Sequence, residues 1–311
     1  MKNCTTSQSP RKDVYQIVTD RILELLDKGT VPWRKPWQGG AVCQPKNLVS
    51  KKPYRGINIF LLGITATSTG YRSPYWLTYK QATDLGGHVR KGEKSTLVVF
   101  WKINQKIETD NETGDKKIVN YPVLRYYNVF NLDQCDDVNP DKIPEDARID
   151  EDDLLDFEPL AACDNIVEHY SDRPIIEHDR EPRAYYRPSA DKVHMPDKEL
   201  FNSIPEYYST LFHELTHSTG HETRLNRDGI TEMAAFGSAL YSKEELTAEM
   251  GAAMLCGMAG IDNQTIDNSA AYIDGWRSKI KGDKKLVVNA AARAQKAVDY
   301  ILGENQEGGD S

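Results

Sequence analysis

Apolar residues recur at intervals of three and four along much of the chain, and this spacing predicts amphipathic helices. The first helix runs through residues 13–28 and ends at Gly29, because glycine readily takes the backbone conformation that closes a helix. Five further helices are expected in the second half, over residues 161–170, 207–220, 243–260, 265–281 and 286–302. The helical pattern therefore dominates after residue 160.

Two short apolar runs, residues 97–101 and 124–130, have the composition of core strands. Residues 105–117 between them are rich in Asn, Asp, Thr and Gly, which predicts a hairpin loop. Residues 184–196 indicate two more strands around a turn, with an edge to which an extended peptide could add. Strands in one half and helices in the other predict an α+β fold.

The strongest chemical signal is the sequence H-E-x-x-H inside the helix predicted over 207–220. His213 and His217 are four residues apart, so both imidazoles lie on one helix face and can bind one Zn²⁺. Glu214 would lie beside the metal, where a carboxylate can act as general base toward water. This pattern predicts metal-assisted hydrolysis of an amide.

A third ligand decides whether such a site is complete. Continuation as H-x-x-G-x-x-H fails, because Thr223 occupies the position where a histidine is needed. A later helix supplies Glu245 and Glu249, again four apart on one face, and Ser242 with Glu245 forms a capping-box pattern at its start. Glu245 would bind the metal while Glu249 accepts the second N–H of a ligand histidine, or the two roles are exchanged. Glu244 has the character of a solvated acidic residue in the first turn.

Composition and charge exclude several classes of protein. The 311 residues have a mean hydropathy of −0.62 and contain no apolar run of about 18 residues, so we expect no membrane span. The first ten residues lack the apolar segment of a signal peptide and are expected to be disordered. Five scattered cysteines without a C-x-x-C pair indicate free thiols and a cytoplasmic location.

The net charge of −8 combines two opposite halves. Residues 1–130 hold 21 Lys and Arg against 10 Asp and Glu, whereas the remainder holds 18 against 37. A basic half of this kind is expected to bind a polyanion. Its aromatic and basic residues recur together in loops, a mixture typical of single-stranded nucleic-acid binding. The candidate contacts are Trp33, Arg34, Lys35, Trp37, Tyr54, Arg55, Asn58, Trp76, Arg90, Lys91 and Lys94, whereas Phe100 and Trp101 are expected to be core residues.

Residues 133–158 contain 12 acidic and two basic residues together with three prolines up to Pro159, which predicts a solvated linker. The chain then divides into two domains, each with its own core. The expected segments are a disordered start at 1–10, a small α+β nucleic-acid-binding domain at 11–132, the acidic linker at 133–160, a metallopeptidase domain at 161–303 and a disordered tail at 304–311.

These segments resemble the ArdC family of antirestriction proteins, which conjugative plasmids and other mobile elements encode. The first half is similar to the family's single-stranded DNA-binding domain, and to the N-terminal region of TraC-type plasmid primases, over residues 32–37, 54–58, 76–82 and 90–94. The second half is similar to its zincin-like metallopeptidase domain over 213–221 and 244–249. The resemblance implies a gluzincin-like site in which Glu245, the first glutamate of the E-x-x-x-E pair, binds the metal.

The resemblance also implies that the protein protects incoming mobile-element DNA from host restriction, acting in the cytoplasm or after delivery to a recipient cell. One Zn²⁺ per chain is expected, which Mn²⁺ or Co²⁺ can replace. Single-stranded DNA and a protein substrate are the implied partners; the oligomeric state and the substrate stay open. Tyr241, His221 and Tyr208 are close enough in sequence to donate to an oxyanion. The alternatives are a DNA-associated cytosolic zinc protease and a DNA-coating protein whose metal site is only structural.

Overall fold

A computed structural model describes residues 13–34, 44–109, 116–147, 159–232, 237–263 and 269–304. The helices in these ranges are α1 (Val14–Asp27), α2 (Ile57–Thr69), α3 (Tyr79–Asp84), α4 (Pro159–His169), α5 (Ile204–Ser218), α6 (Asp228–Thr231), α7 (Ala239–Met258), α8 (Ala270–Gly282) and α9 (Leu286–Ile301). The strands are β1 (Lys46–Asn47), β2 (Tyr75–Leu77), β3 (His88–Val89), β4 (Thr96–Thr109), β5 (Lys116–Asn131), β6 (Cys135–Asp136), β7 (Ile175–Asp179), β8 (Tyr185–Arg187) and β9 (Lys192–Pro196). Among these ranges, no helix is both long enough and apolar enough to span a bilayer.

The first half is built on a four-stranded sheet in the order β1-β2-β5-β4. β4 and β5 pair antiparallel along their whole length, from Thr96 opposite Val129 to Thr109 opposite Lys116. The loop predicted over 105–117 is therefore too long, since both strands continue into it. Helix α2, which the hydrophobic pattern alone does not predict, packs on β4. The α+β fold class is confirmed.

The acidic segment after residue 132 is folded up to residue 147, contrary to the prediction of a solvated linker. β6 pairs antiparallel with β3, and Val138 and Ala147 are buried beside Leu48, Tyr75 and Leu77. The segment packs because a few apolar side chains, Leu132, Val138 and Ala147, stand among its acidic residues, which the count of charges does not reveal. Residues 148–158 lie outside the described part of the chain.

The second half places helices beside a three-stranded sheet in the order β7-β9-β8, with β7 parallel and β8 antiparallel to β9. The predicted strands at 184–196 are confirmed as β8 and β9. Helix α7 begins one turn earlier than expected, since Ser238 caps it by accepting a hydrogen bond from the Tyr241 amide. Ser242, the predicted cap, is buried inside the helix.

One apolar core runs through both halves of the chain, and two smaller apolar clusters lie within residues 48–147. Helix α1 packs against α8 and α9, and α2 also contacts α9. Trp33 packs edge to face on Trp276 with ring centroids 6.1 Å apart. At the same boundary, the Gly56 amide donates to Gln295 Oε1 at 2.9 Å, and Arg55 forms an ion pair with Asp299. The second half is therefore fixed to the first by burial of apolar surface.

Asn58 connects α2 to β4 through its side-chain amide. Nδ2 donates to the Val99 carbonyl at 2.7 Å, and Oδ1 accepts from the Val99 amide at 2.8 Å. Both residues are buried. Asn58 is thus part of the framework, and its side chain does not face solvent as a DNA contact would.

We expect Asn58→Ala to lower the free energy of unfolding by about 2 kcal/mol or more, because it leaves a buried N–H and a buried C=O of Val99 without partners. Urea denaturation measures this change. The exposed Asn289→Ala in α9 serves as the matched control and should have little effect. Equal midpoints for the two variants would contradict this role.

Candidate metal centre

Helix α5 carries both histidines of the H-E-x-x-H motif. It begins at Ser203, whose hydroxyl accepts from the Glu206 amide, and Pro205 lies in its first turn, where a missing N–H costs nothing. One helical turn separates His213 from His217, and their Nε2 atoms lie 3.1 Å apart. Both rings therefore present a nitrogen to the same point.

Helix α7 brings Glu245 to that point. Its Oε2 lies 3.7 Å from His213 Nε2 and its Oε1 lies 3.5 Å from His217 Nε2. Ligands of a tetrahedral ion with bonds of about 2.1 Å stand about 3.4 Å apart. The three donor groups therefore have the spacing that one divalent ion requires, and their chemistry, two imidazoles and a carboxylate, suits zinc or a neighbouring transition metal.

The close approach of the two helices depends on Gly251. A Cβ atom at this position would lie 2.5 Å from Thr216 Cγ2 and 2.8 Å from Thr216 Oγ1. Thr216 is held in place because its hydroxyl donates to the Phe212 carbonyl one turn earlier on α5. Only a residue without a side chain lets α7 lie near enough for Glu245 to reach the histidines.

Glu244, rather than Glu249, orients a ligand histidine. Glu244 is 3 % exposed, and its Oε1 lies 3.2 Å from His217 Nδ1. Arg227 donates to the same carboxylate through Nε at 2.9 Å and through Nη2 at 2.6 Å. Burial alone would raise the pKa of Glu244, but the hydrogen bonds from His217 and Arg227 lower it to about 2. The ionised carboxylate keeps the His217 proton on Nδ1 and leaves Nε2 for the metal.

The solvated role predicted for Glu244 is therefore wrong, and its partner Arg227 is a functional residue that no sequence motif indicates. Arg227 is buried and also donates to Thr219 Oγ1 at 2.6 Å and to the Thr216 carbonyl at 2.8 Å. After α5 the chain turns back, so that Arg227 packs against α5, the helix that carries both histidines. Gly220 makes room for Arg227, since a Cβ there would lie 3.0 Å from Arg227 Nη2, and Gly229 makes room for Glu244, since a Cβ there would lie 2.7 Å from Glu244 Cβ.

Glu249 has a different role from the two that the sequence suggested. Its Oε2 accepts from Trp33 Nε1 at 2.8 Å and from the Tyr272 hydroxyl. Glu249 is also absent from the group of donor atoms that converge on one point. It therefore joins the first half of the chain to α7, one turn beyond Glu245.

Glu214 is buried next to the two histidines on α5. Among the oxyanion candidates, Tyr241 lies nearest the centre. Burial and the adjacent Glu245 raise the pKa of its hydroxyl to about 12, so it remains a donor. Tyr208 instead donates to Asp164, since it lies about 140° around α5 from His213. His221 is hydrogen-bonded to Thr223 in the turn beyond the helix.

Comparison with known proteins fits this geometry. Residues 12–130 match the family model for the N-terminal domain of anti-restriction factor ArdC, and residues 163–293 match that for a zincin-like metallopeptidase. The metal-free crystal structure of the antirestriction protein ArdC from plasmid R388 is 40 % identical, with a TM-score of 0.72 over 94 % of this chain and 98 % of that chain. The chain belongs to the ArdC family of antirestriction proteins.

Further relatives extend the ArdC family assignment. The Mn(II)-bound structure of ArdC from R388 matches equally well, with a TM-score of 0.72 over 95 % of this chain and all of that one. An uncharacterized protein of Sinorhizobium fredii, y4eC, is 33 % identical over 96 % of its length. DNA primase TraC of Escherichia coli is 34 % identical over 96 % of this chain, which spans only 28 % of that primase. A divalent metal is therefore expected in the ArdC-family fold.

Four of the nucleic-acid candidates of this ArdC-family chain are buried side chains. Trp33 and Trp76 are fully buried, and Tyr54 and Asn58 nearly so. Arg55 is engaged by Asp299, and Arg90 by Glu93 and Asp136. Arg55 and Arg90 stay exposed despite these ion pairs, and Arg34, Lys91 and Lys94 are exposed too, whereas Lys35 and Trp37 lie outside the described residues. Trp101, expected in the core, is instead 39 % exposed.

We expect Glu244→Gln to weaken metal affinity by about 10- to 100-fold while leaving all three ligands in place, because the ring of His217 loses its charged partner. Competition with a chromogenic zinc chelator measures the affinity. Glu222→Gln, an exposed substitution just beyond α5, is the matched control. Unchanged affinity in Glu244→Gln would contradict an orienting role for this residue.

Proposed function

We propose that this ArdC-family protein hydrolyses peptide bonds with the help of a divalent metal ion and holds single-stranded DNA with its first half. The convergence of His213, His217 and Glu245 on one point, with Glu214 beside it, is the observation that carries the enzymatic part. A purely structural zinc would need a fourth protein ligand. The group of converging donors in the described residues contains three, which leaves one position for water or substrate.

When bound, a divalent ion supplies Lewis-acid polarisation of the peptide carbonyl and of an attacking water. Glu214 takes the proton from that water and returns it to the leaving amine as general acid. Tyr241, next to Glu245, is placed to donate a hydrogen bond to the oxygen on which negative charge develops. Glu244 and Arg227 keep His217 in one tautomer throughout.

We expect Glu214→Gln to reduce hydrolysis by about 10²- to 10⁴-fold, the contribution typical of general acid–base catalysis, with little change in metal affinity. Quantitative proteomics of cells that express either form measures this. Proteins that are lost with the wild type should persist with Glu214→Gln and be lost again with the exposed control Glu199→Gln. The same losses with Glu214→Gln would contradict catalysis at this site.

The β4–β5 hairpin supports the nucleic-acid part of the proposal better than the buried tryptophans do. Alternation along the paired strands puts cations and aromatic rings on one side, which we call the hairpin face. Its cations and rings are Phe100, Lys102, Lys106, Lys117, Tyr121, Arg125 and Tyr127, and Glu108 on the same side forms an ion pair with Lys106. Lys106 lies 5.9 Å from the ring centre of Tyr121, and the rings of Phe100 and Tyr127 pack 5.6 Å apart. Stacking surfaces beside phosphate-binding cations are what single strands require.

We expect the double substitution Lys102→Glu with Arg125→Glu to weaken binding of a fluorescent oligothymidylate and to flatten its dependence on salt. Removing one cation from a phosphate reduces the steepness of log K against log salt by about 0.7 for a single strand. Anisotropy titrations across a salt series measure both quantities. Lys281→Glu with Lys296→Glu makes the same change in charge on α8 and α9. An equal effect of both pairs would assign the binding to overall charge and not to the hairpin face.

Antirestriction would then combine the two activities on incoming DNA. A second candidate, protection by DNA coating alone, is favoured because the hairpin face belongs to β4 and β5, which carry none of the converging metal donors. Transfer of unmodified plasmid into a restricting host distinguishes them. Loss of protection with Glu214→Gln supports the hydrolytic route, whereas loss only with the hairpin-face pair supports coating.

A further inference from the structure

A second group of metal-binding side chains lies in the β7-β9-β8 sheet. His194 is in the central strand β9, Asp179 ends β7, and Glu181 follows in the segment that leads to β8. One nitrogen or oxygen from each residue falls within 4.8 Å of the others. None of these residues belongs to the centre on α5 and α7, and none has a part in the hydrolysis proposed above.

The imidazole of His194 has the hydrogen-bonding pattern of a metal ligand. Its Nδ1 lies 2.7 Å from the Arg183 carbonyl, to which it donates, and this leaves the lone pair of the neutral ring on Nε2. A backbone carbonyl on one ring nitrogen is the usual partner of a histidine that binds metal through the other nitrogen. Tyr185 stacks on the ring, with centroids 4.8 Å apart, and fixes its plane.

The Nε2 atom is buried and has no hydrogen-bond partner. The side chain of His194 is 9 % exposed, and Nε2 lies 2.9 Å from Asp179 Oδ1 and 4.0 Å from Glu181 Oε2. In the neutral ring the Nε2 lone pair faces the Asp179 oxygen, so this contact becomes favourable only when a proton or another cation stands between the two atoms. A buried polar atom without a partner is costly, and a cation between Nε2 and the two carboxylates would remove that cost.

Electrostatics also favours a positive charge at this position. Burial alone would lower the pKa of His194, but Asp179 and the Arg183 carbonyl more than offset it, and the pKa is raised. A proton and a metal ion therefore compete for the same nitrogen. The two carboxylates are 60 % and 46 % exposed, so they can close on an ion without repacking the core.

We propose that His194, Asp179 and Glu181 form a second site for a divalent transition-metal ion, completed by water. An imidazole ligand selects zinc, cobalt or nickel over calcium or magnesium, which prefer oxygen ligands alone. The ion joins the segment 180–184 to the central strand and thereby fixes the edge strand β8, which packs beside α5. Binding of an ion at this site would reduce the mobility of strand β8, which lies next to the first metal centre on α5.

Isothermal titration of the full chain with Co²⁺ tests the proposal. The wild type should bind two ions, and the exposed pair Asp179→Asn with Glu181→Gln should bind one, with the first site and the melting temperature of the apoprotein unchanged. The control pair Glu168→Gln with Glu199→Gln removes two exposed acidic residues from the same half and should keep both ions. His213→Ala should remove the other ion instead.

Hydrogen exchange gives a readout that is independent of affinity. Amides of residues 180–187 should exchange more slowly with excess Co²⁺ in the His213→Ala protein, and this slowing should vanish when Asp179→Asn and Glu181→Gln are added. Binding of a single ion by the wild type would overturn the proposal and leave His194 as an imidazolium paired with Asp179. Retention of the second ion in the Asp179→Asn, Glu181→Gln protein would overturn it as well.

Discussion

The packing of α7 on α5 is the constraint on which the metal centre depends. Two of the three converging donors come from α5 and the third from α7, so the distance between the helices sets the size of the site. Gly251 against Thr216 fixes that distance. The buried pair of Glu244 and Arg227 holds the same two helices together near the ligands and contributes a charge that orients His217. A buried ion pair of this kind is retained for geometry, because apolar residues of similar size would stabilise the fold as well.

The continuous core has a consequence for how the halves act together. Trp33, from the loop after α1, donates directly to Glu249, one turn beyond the metal ligand on α7. Apolar contacts from α1 to α8 and α9 reinforce this connection. The first and second halves of the chain therefore form a single packed unit in which the position of α7 depends on residues from both. The hairpin, in contrast, extends from this unit with its outer part exposed.

The sequence predicted those features that depend on local periodicity. His213 and His217 lie on the same face of α5 however that helix packs against its neighbours. The four-residue spacing of Glu245 and Glu249 likewise identified a second helix with two glutamates on one face. The structure contradicts the predictions that Glu249 contacts a ligand histidine and that Glu244 is solvated, because both depend on the rotation of α7 about its axis. Neighbouring helix positions differ by about 100°, so the face of α7 that meets α5 at Gly251 also decides which glutamates reach the histidines. The residues around Arg227 form no pattern that predicts its contact with Glu244.

Exposure of the aromatic residues was the least predictable property. Trp33 lies between prolines in a basic segment and yet is fully buried, because α8 of the other half covers it. Trp101 lies in an apolar strand and yet is exposed, because the hairpin continues beyond the core. In the acidic segment, Val138 and Ala147 are buried among residues whose charges indicated a linker. In each case burial is decided by a partner distant in sequence, which composition does not reveal.

The most direct test of the central claim is an anomalous-difference map at the zinc absorption edge from crystals of the zinc-loaded protein. The arrangement of α5 and α7 predicts a strong peak about 2.0–2.2 Å from Nε2 of His213, Nε2 of His217 and one carboxylate oxygen of Glu245, with Glu244 on Nδ1 of His217. A zinc peak bound by Glu249 in place of Glu245, or no peak between the two histidines, would contradict it.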